Sequence, residues 1–332
     1  MMRDLIATLP AQLRWAADLQ PPPVPHAAHG AIVAGMGGSG IAGDVAAVVA
    51  EAESKRVIVH KSYGLLRWVG TDLVVAVSHS GNTEETLSAA RAAVALGAPW
   101  VAVSTGGGLR RAAEENGAAC LDVPFSPQPR AAFGYLAGGV LRVLEAAGVI
   151  GAQSGALREA ADVVEAALAG PAHEAAEAIA DGLSGRVAVV YGGSGPAAVA
   201  ANRWKTQINE NAKAPAYWSS LPELDHNEIV GWSGHPDLGR SSIGIVFLHD
   251  AEDHPRVALR AALTSQLIGP LVGLAGEVSS SGSSVLARLF SLTIVGDLVS
   301  VTLAERAGVD PEPVAVIEAL KKRLAEEPGG TT

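Results

Sequence analysis

The stretch "TDLVVAVSHSGNTEETLSAARAAVALG", residues 71–97, runs from an unbroken apolar segment through a polar turn into an Ala-rich segment. A strand that is apolar at every position, rather than at alternate ones, is buried on both faces, as parallel strands covered by helices are. The same order recurs toward the N-terminus. "HGAIVAGMGGSGIAGDVAAVVAE", residues 29–51, reads as a short strand, a glycine turn and a helix. "KRVIVHKSY" (55–63), "PWVAVSTGG" (99–107) and "AACLDVP" (118–124) add short apolar runs, the later ones bounded by Gly and Pro. A doubly wound α/β domain is predicted, closing near residue 150 after a helix over 131–148.

"GVIGAQSG", residues 148–155, interrupts this pattern, and 156–170 opens a helical stretch leading into a second α/β run. "GRVAVVYGGSGPAAVAANRWKTQIN", 185–209, again gives strand, glycine turn and helix. Aligning "GMGGSG" (35–40) with "YGGSG" (191–195) superposes Ser39 on Ser194. Residues 242–250 and 269–276 supply later strands, and 283–308 a long buried helix. Glycine turns recur in many α/β chains, so the argument rests on the shared order of elements. That order predicts two tandem α/β domains, 1–150 and 151–332, each a parallel sheet flanked by helices.

Composition narrows the partners. The 332 residues are 48% hydrophobic with a mean hydropathy of +0.26, ample for a sizeable core. No apolar run reaches the roughly 18 uninterrupted residues of a membrane span. The opening 19 residues carry charges and a proline and read as a short amphipathic helix rather than a secretion signal. A single cysteine, Cys120, excludes an intrachain disulfide and a cysteine metal cluster, which fits a reducing cytoplasm. A net charge of −10 without a basic block argues against a nucleic-acid partner. An acidic chain can still hold a phosphorylated metabolite where local N–H groups donate to it.

Two loops meet that condition, since ligands of open parallel sheets sit at the carboxyl ends of strands near helix N-termini. "GMGGSG" lacks the Lys-Ser/Thr ending of a Walker loop. It matches the dinucleotide spacing, but the following strand ends in His60 and Lys61, not in the acidic residue that a ribose requires. Its backbone can nonetheless approach an anion, because the glycines at 37, 38 and 40 carry no obstructing Cβ. In "SHSGNTEETL", Ser78, Ser80 and Thr83 place three hydroxyls on the turn. A helix cap needs only one. Three hydroxyls with Gly81 and free N–H groups make a receptacle for a phosphate monoester. His235, His249 and His254 are scattered, without the spacing of a zinc site, so no metal is expected.

"GMGGSG" followed by "SHSGNTEET" resembles the sugar isomerase (SIS) domain, whose Ser/Thr-rich loop holds sugar phosphates. With "PRAAFGY", "NENAKAPA", "PELDHNEIVGW" and "GVDPEPVAVIEALKKRL", the chain is similar to the bifunctional phosphoglucose/phosphomannose isomerases from about residue 30 to residue 324. The resemblance implies two tandem SIS domains and a cofactor-independent interconversion of glucose 6-phosphate and mannose 6-phosphate with fructose 6-phosphate through a cis-enediol. By the same resemblance Glu210 moves the proton between C1 and C2, and His226 donates the ring-opening proton. Arg130 stabilises the enediolate, and a lysine, best aligned as Lys321 with Lys322 beside it, handles the substrate and ring opening. Gly38, Ser39, Ser78, Ser80 and Thr83 are expected at the phosphate. The resemblance also implies a homodimer with shared active sites, His226 reaching over from the neighbouring subunit.

Glu223, Asp225 and Glu228 are all placed to orient His226, and the sequence does not choose among them. Tyr217, Trp218 and Trp232 either exclude water from the site or pack between domains. His79 departs from the tyrosine that relatives commonly carry there. The alternatives to catalysis on these two hexose phosphates are a non-catalytic SIS sensor, usually a single domain joined to a DNA-binding module, and an SIS isomerase of another sugar phosphate.

Overall fold

Runs of Val, Ile, Leu and Ala form the first sheet: β1 Ala31–Ala34, β2 Val57–His60, β3 Leu73–Ser78, β4 Trp100–Ser104 and β5 Ala119–Asp122. The computed structural model describes residues 2–27 and 29–327, so Met1, Ala28 and the closing residues 328–332 lie outside it. All five strands are parallel, in the order β2-β1-β3-β4-β5. Strand order reverses direction between β1 and β3, where Ala34 lies in register with Ala76. At such a switch point the loops leaving two adjacent strands diverge and open a crevice. The glycine turn leaves β1 here, and the hydroxyl-rich turn leaves β3.

The second sheet holds β6 Val187–Gly192, β7 Ala216–Ser220, β8 Ile243–His249 and β9 Gly273–Ser279, parallel in the order β7-β6-β8-β9. Both sheets are flanked by helices, as the sequence predicts. β7 is an addition to the expected strands. "AYWSS" has no apolar run, because an edge strand has one neighbour and leaves Tyr217 and Trp218 exposed.

The N-terminal segment also differs from the expected single helix. It forms two, Met2–Ala7 and Leu9–Asp18, broken at Thr8. Pro10 has no N–H to give an internal helix bond, so it is accepted only in the first turn of a new helix.

The helix Val285–Ala307 organises the packing. By length and composition it could cross a membrane, yet 94% of its most apolar window is buried inside the protein. It packs against helices Ser154–Leu168, Pro171–Leu183 and Pro196–Gln207. One continuous apolar core includes Phe290 and Leu298 of this helix, Val75 and Val103 of the first sheet, and Val190 and Val246 of the second. Gly296 lets the Trp204 ring close in, since a Cβ there would stand 2.3 Å from the indole, and Trp204 Nε1 donates to the Leu292 carbonyl at 2.8 Å.

One carboxylate is buried in this helix, Asp297, only 2% exposed. Arg203 Nη2 donates to it at 2.7 Å, and the Arg203 guanidinium lies 3.9 Å from the centre of the Phe133 ring. Burial pushes the Asp297 carboxyl pKa up and the arginine opposes that shift. Removing one member of such a pair leaves a buried charge without a partner. Asp297→Ala is therefore expected to lower unfolding free energy by about 3–5 kcal/mol, seen as a fall in the urea midpoint with little change in slope. A loss below about 1 kcal/mol would show that Arg203 finds another partner at no cost.

Candidate active site

The turn after β3 is built by its own hydroxyls. Ser78 Oγ and Thr83 Oγ1 lie 2.8 Å apart, and the amide of Gly81 donates to Ser78 Oγ at 3.0 Å. Gly81 holds φ +68°, and a Cβ there would fall 1.8 Å from the Gly106 carbonyl oxygen, so only glycine fits. Thr83 occupies the N-cap position of helix Glu84–Leu96 but makes no capping bond with its side chain, which is turned to Ser78. Ser78 is buried and braces the turn from beneath, while Ser80 and Thr83 line the cleft above it.

That cleft, about 470 Å³, is where the candidate residues meet: Gly38 and Ser39 from the first glycine turn, Ser80 and Thr83, then Arg130, Glu210 and Lys321. Lys321 is on the cleft wall. Lys322 has 80% of its side chain exposed and faces Glu326 at 4.0 Å.

Arg130, in the short 3-10 turn Pro129–Ala131, is 6% exposed and held at every nitrogen. Nε donates to Asn211 Oδ1 at 2.7 Å, Nη1 to Gln128 Oε1 at 2.9 Å, and Nη2 to the carbonyls of Pro311 at 2.6 Å and Glu312 at 2.9 Å. Nη1 also stands 3.7 Å from Glu210 Oε2. Burial pulls the guanidinium pKa down and Glu210 opposes this, but an arginine stays charged throughout.

Glu210 owes its position to a local irregularity. The helix Pro196–Gln207 runs into a π-helical turn, Ile208–Ala212, which ends at Lys213 in the left-handed conformation with φ 54°. A π turn inserts a residue and rotates the chain beyond it, a device frequent at functional sites. Lys213 Nζ fastens the turn, donating to the carbonyls of Glu210 at 2.6 Å and Pro311 at 3.0 Å. Burial and the nearby Arg130 draw the Lys213 pKa down. Sequence reasoning missed Gln128, Asn211 and Lys213 as positioning residues. Their polarity was visible, but not the buried partners they serve.

His226 lies elsewhere. It ends the 3-10 turn Glu223–His226, exposed, and does not line the cleft of its own chain. None of the three carboxylates suggested for it holds its ring. Asp225 accepts from Arg260 Nη1 at 2.9 Å and Thr264 Oγ1 at 2.8 Å, and Glu223 accepts from Asn227 Nδ2 at 2.8 Å. Glu228 accepts from Tyr191 Oη at 2.6 Å and from the Ser219 hydroxyl, while Trp232 Nε1 donates to Tyr191 Oη at 3.0 Å. These bonds anchor the segment, and Trp232 belongs to that anchor. The rings of Tyr217, Trp218 and Trp232 do not enclose the cleft.

At the second glycine turn the Asp253 carboxylate occupies the space. A Cβ on Gly193 would meet both carboxylate oxygens of Asp253 at 2.4 Å, and Asp250 N donates to Asp253 Oδ2 at 3.1 Å. Burial raises the Asp253 pKa, while backbone amides of Asp250 and Ser194 draw it down. Among the described residues, no three His, Cys, Asp or Glu side chains gather where they could hold a metal ion.

Several known proteins similar to this chain share one family description. The family described as bacterial phospho-glucose isomerase C-terminal SIS domain matches residues 172–324. A bifunctional phosphoglucose/phosphomannose isomerase of Caldicellulosiruptor bescii is 40% identical over 89% of each chain. Another of that name, from Aquifex aeolicus, is 38% identical over 94% of this chain and 95% of its own. Among solved structures, tagatose-6-phosphate ketose/aldose isomerase from Escherichia coli superposes with a TM-score of 0.70 over 93% of this chain and 94% of its own, at 15% identity, a likeness of fold.

The anchoring of the His226 segment can be tested directly. Glu228→Ala leaves the Tyr191 and Ser219 hydroxyls without their acceptor, at a cost of about 1–3 kcal/mol. Amide exchange in residues 223–232 is expected to quicken while β1 and β3 keep wild-type protection. Unchanged exchange there would show that the segment is held by other contacts.

Proposed function

The chain belongs to the family of bifunctional phosphoglucose/phosphomannose isomerases, and on that premise we propose that it interconverts glucose 6-phosphate and mannose 6-phosphate with fructose 6-phosphate. The observation that carries this reading is one cleft holding a carboxylate, Glu210, 3.7 Å from a buried arginine and opposite two loops of hydroxyl and amide donors. The phosphate sits at Gly38, Ser39, Ser80 and Thr83, at the N-terminal ends of two helices whose amides favour an anion. Once the sugar ring is open, Glu210 takes the proton from C2 of the aldose. The electrons left behind form a cis-enediolate whose negative charge Arg130 offsets; a proton then passes from the C2 oxygen to the C1 oxygen, and Glu210 returns its proton to C1 while the C2 carbonyl of the ketose forms. Hydride is not transferred, so the residues of this chain suffice without a redox group. Lys321, on the same wall, handles substrate oxygens during ring opening. The lone Cys120 and the phosphorylated substrates fit a cytoplasmic enzyme.

Ring opening also needs a proton donor near neutral pH, and histidine suits that work. His226 meets the cleft only if a second copy brings it there. The helix Ala315–Glu326, which contributes Lys321, has no buried residue and exposes Val316, Leu320 and Leu324. An apolar face of that kind fits a homodimer partner, which makes assembly part of the reaction.

Purified protein is expected to turn over both hexose 6-phosphates in a coupled assay. Binding without turnover would favour the sensor alternative. Glu210→Gln is expected to keep fructose 6-phosphate binding by calorimetry while kcat falls roughly 10²–10⁴-fold, the loss typical of an acid–base group. Near-normal kcat would remove Glu210 from the base role.

The shared site makes a distinct prediction. Glu210→Gln and His226→Ala are each expected to be nearly inactive alone. After subunit exchange the mixture should recover about a quarter of wild-type activity, the share of intact sites in random dimers. Exchange demonstrated by mass spectrometry without recovered activity would place both residues in one chain.

A further inference from the structure

The proposed reaction gives no task to His79, one of the residues lining the cleft. His79 stands between Ser78 and Ser80 at the end of β3, and its side chain is almost wholly buried, with 5% of the residue exposed. Its ring is fixed. Nε2 accepts the backbone N–H of Ser126 at 3.2 Å. The ring of Phe125, itself 75% exposed, lies against it with centroids 5.8 Å apart. The backbone is fixed too, since the His79 carbonyl accepts from Thr105 N at 3.1 Å and Thr105 Oγ1 at 2.7 Å.

A backbone amide can only donate. The nitrogen facing it must therefore carry a lone pair, and in a neutral imidazole that puts the one ring proton on Nδ1. Among the described residues Nδ1 has no hydrogen-bond partner, and it is not among the polar atoms sealed inside the protein without one. His79 is among the residues that line the cleft, with Ser80 and Thr83. A polar N–H in a nearly closed wall, committed to nothing in the chain, is a donor waiting for the ligand.

We propose that His79 is a ligand-binding residue of this cleft, an uncharged donor whose Nδ1–H donates to an oxygen of the bound phosphate monoester. The proposal rests on the sugar-phosphate reading above and deepens it. It also assigns what His79 does not do. A second ring proton would set Nε2–H against the Ser126 N–H, and burial by itself draws the ring pKa down. His79 thus holds the ligand, while proton traffic stays with other groups. The titratable side chains sharing the cleft wall are Glu85, Arg130, Glu210, Glu312, Glu318 and Lys321.

The tautomer can be read in the intact wild-type protein. With nitrogen-15 labelled histidine, and the His79 signals assigned by their loss in His79→Phe, the Nδ1–H form is expected near neutral pH. Saturating fructose 6-phosphate or inorganic phosphate should move the Nδ1 resonance and leave Nε2 an acceptor. An imidazolium, an Nε2–H tautomer, or an Nδ1 signal unmoved at saturation would overturn the proposal. Kinetics separate donation from bracing. His79→Phe keeps a ring against Phe125 but loses the donor, so KM should rise roughly tenfold with kcat little changed, as for one lost bond to a charged acceptor. His79→Asn keeps an amide N–H near the position of Nδ1 and gives up the bond to Ser126, so it should bring KM back to within about threefold of wild type. If Asn is as poor as Phe at equal Tm, His79 is only a brace. Wild type that neither binds nor isomerises hexose 6-phosphates would overturn the functional reading as well, whereas full wild-type turnover with indifferent His79 variants overturns this inference alone.

Discussion

A 23-residue apolar helix buried on nearly all sides can carry a carboxylate only if that charge is matched, and Asp297 imposes this demand on its surroundings. Arg203 meets it and is thereby fixed against the Phe133 ring, with its Nη2 also 3.3 Å from the Arg130 carbonyl. One turn along the helix, Ser300 Oγ accepts from Asn211 Nδ2 at 2.9 Å, and Asn211 in turn accepts from Arg130 Nε. The arginine of the cleft is thus placed by two polar chains that start on the buried helix. Ion pairs of this sort add little net stability over apolar packing, but they penalise every arrangement that leaves a member alone. Here the arrangement they enforce joins the helix that follows β5 to the helix that follows β6.

The two halves use one architecture for different ends. In the first sheet the loops leaving β1 and β3 part at the switch point, and their glycines and hydroxyls face an open cleft. In the second, the matching glycine turn is filled by the Asp253 carboxylate of the same chain. A carboxylate at that turn occupies donors that an incoming phosphate would otherwise use. The second half instead contributes Glu210, through a π turn that re-aims the end of a helix, and the segment carrying His226.

That division explains why polar and aromatic residues gather between 209 and 232 in a chain otherwise rich in Ala, Gly and Val. The first part of the stretch puts Glu210 on the cleft wall and fastens its turn through Lys213. The middle is the edge strand β7, whose rings are exposed because only one neighbour covers it. The last part is pinned through Glu228, Tyr191 and Trp232, and it presents His226 outward.

The sequence by itself determined the parallel sheets, the glycine turn, the hydroxyl turn and the length of the buried helix. Each of these is written in neighbours a few residues apart: unbroken Val/Ile/Leu runs such as 73–77, glycine where only glycine fits at Gly81, and hydroxyls clustered within Ser78–Thr83. Pro10 also marked a helix start, though the amphipathic pattern around it read as one helix. The tertiary structure alone decided the rest. It turned Lys321 and not Lys322 to the cleft, drew Ser78 beneath the turn, and committed Asp225 and Glu228 to partners other than His226. The reason is distance along the chain. Turn chemistry and periodicity act over one or two turns of backbone, whereas Arg130 meets Asn211 across 81 residues and Pro311 across 181, and such partners exist only once the core has packed.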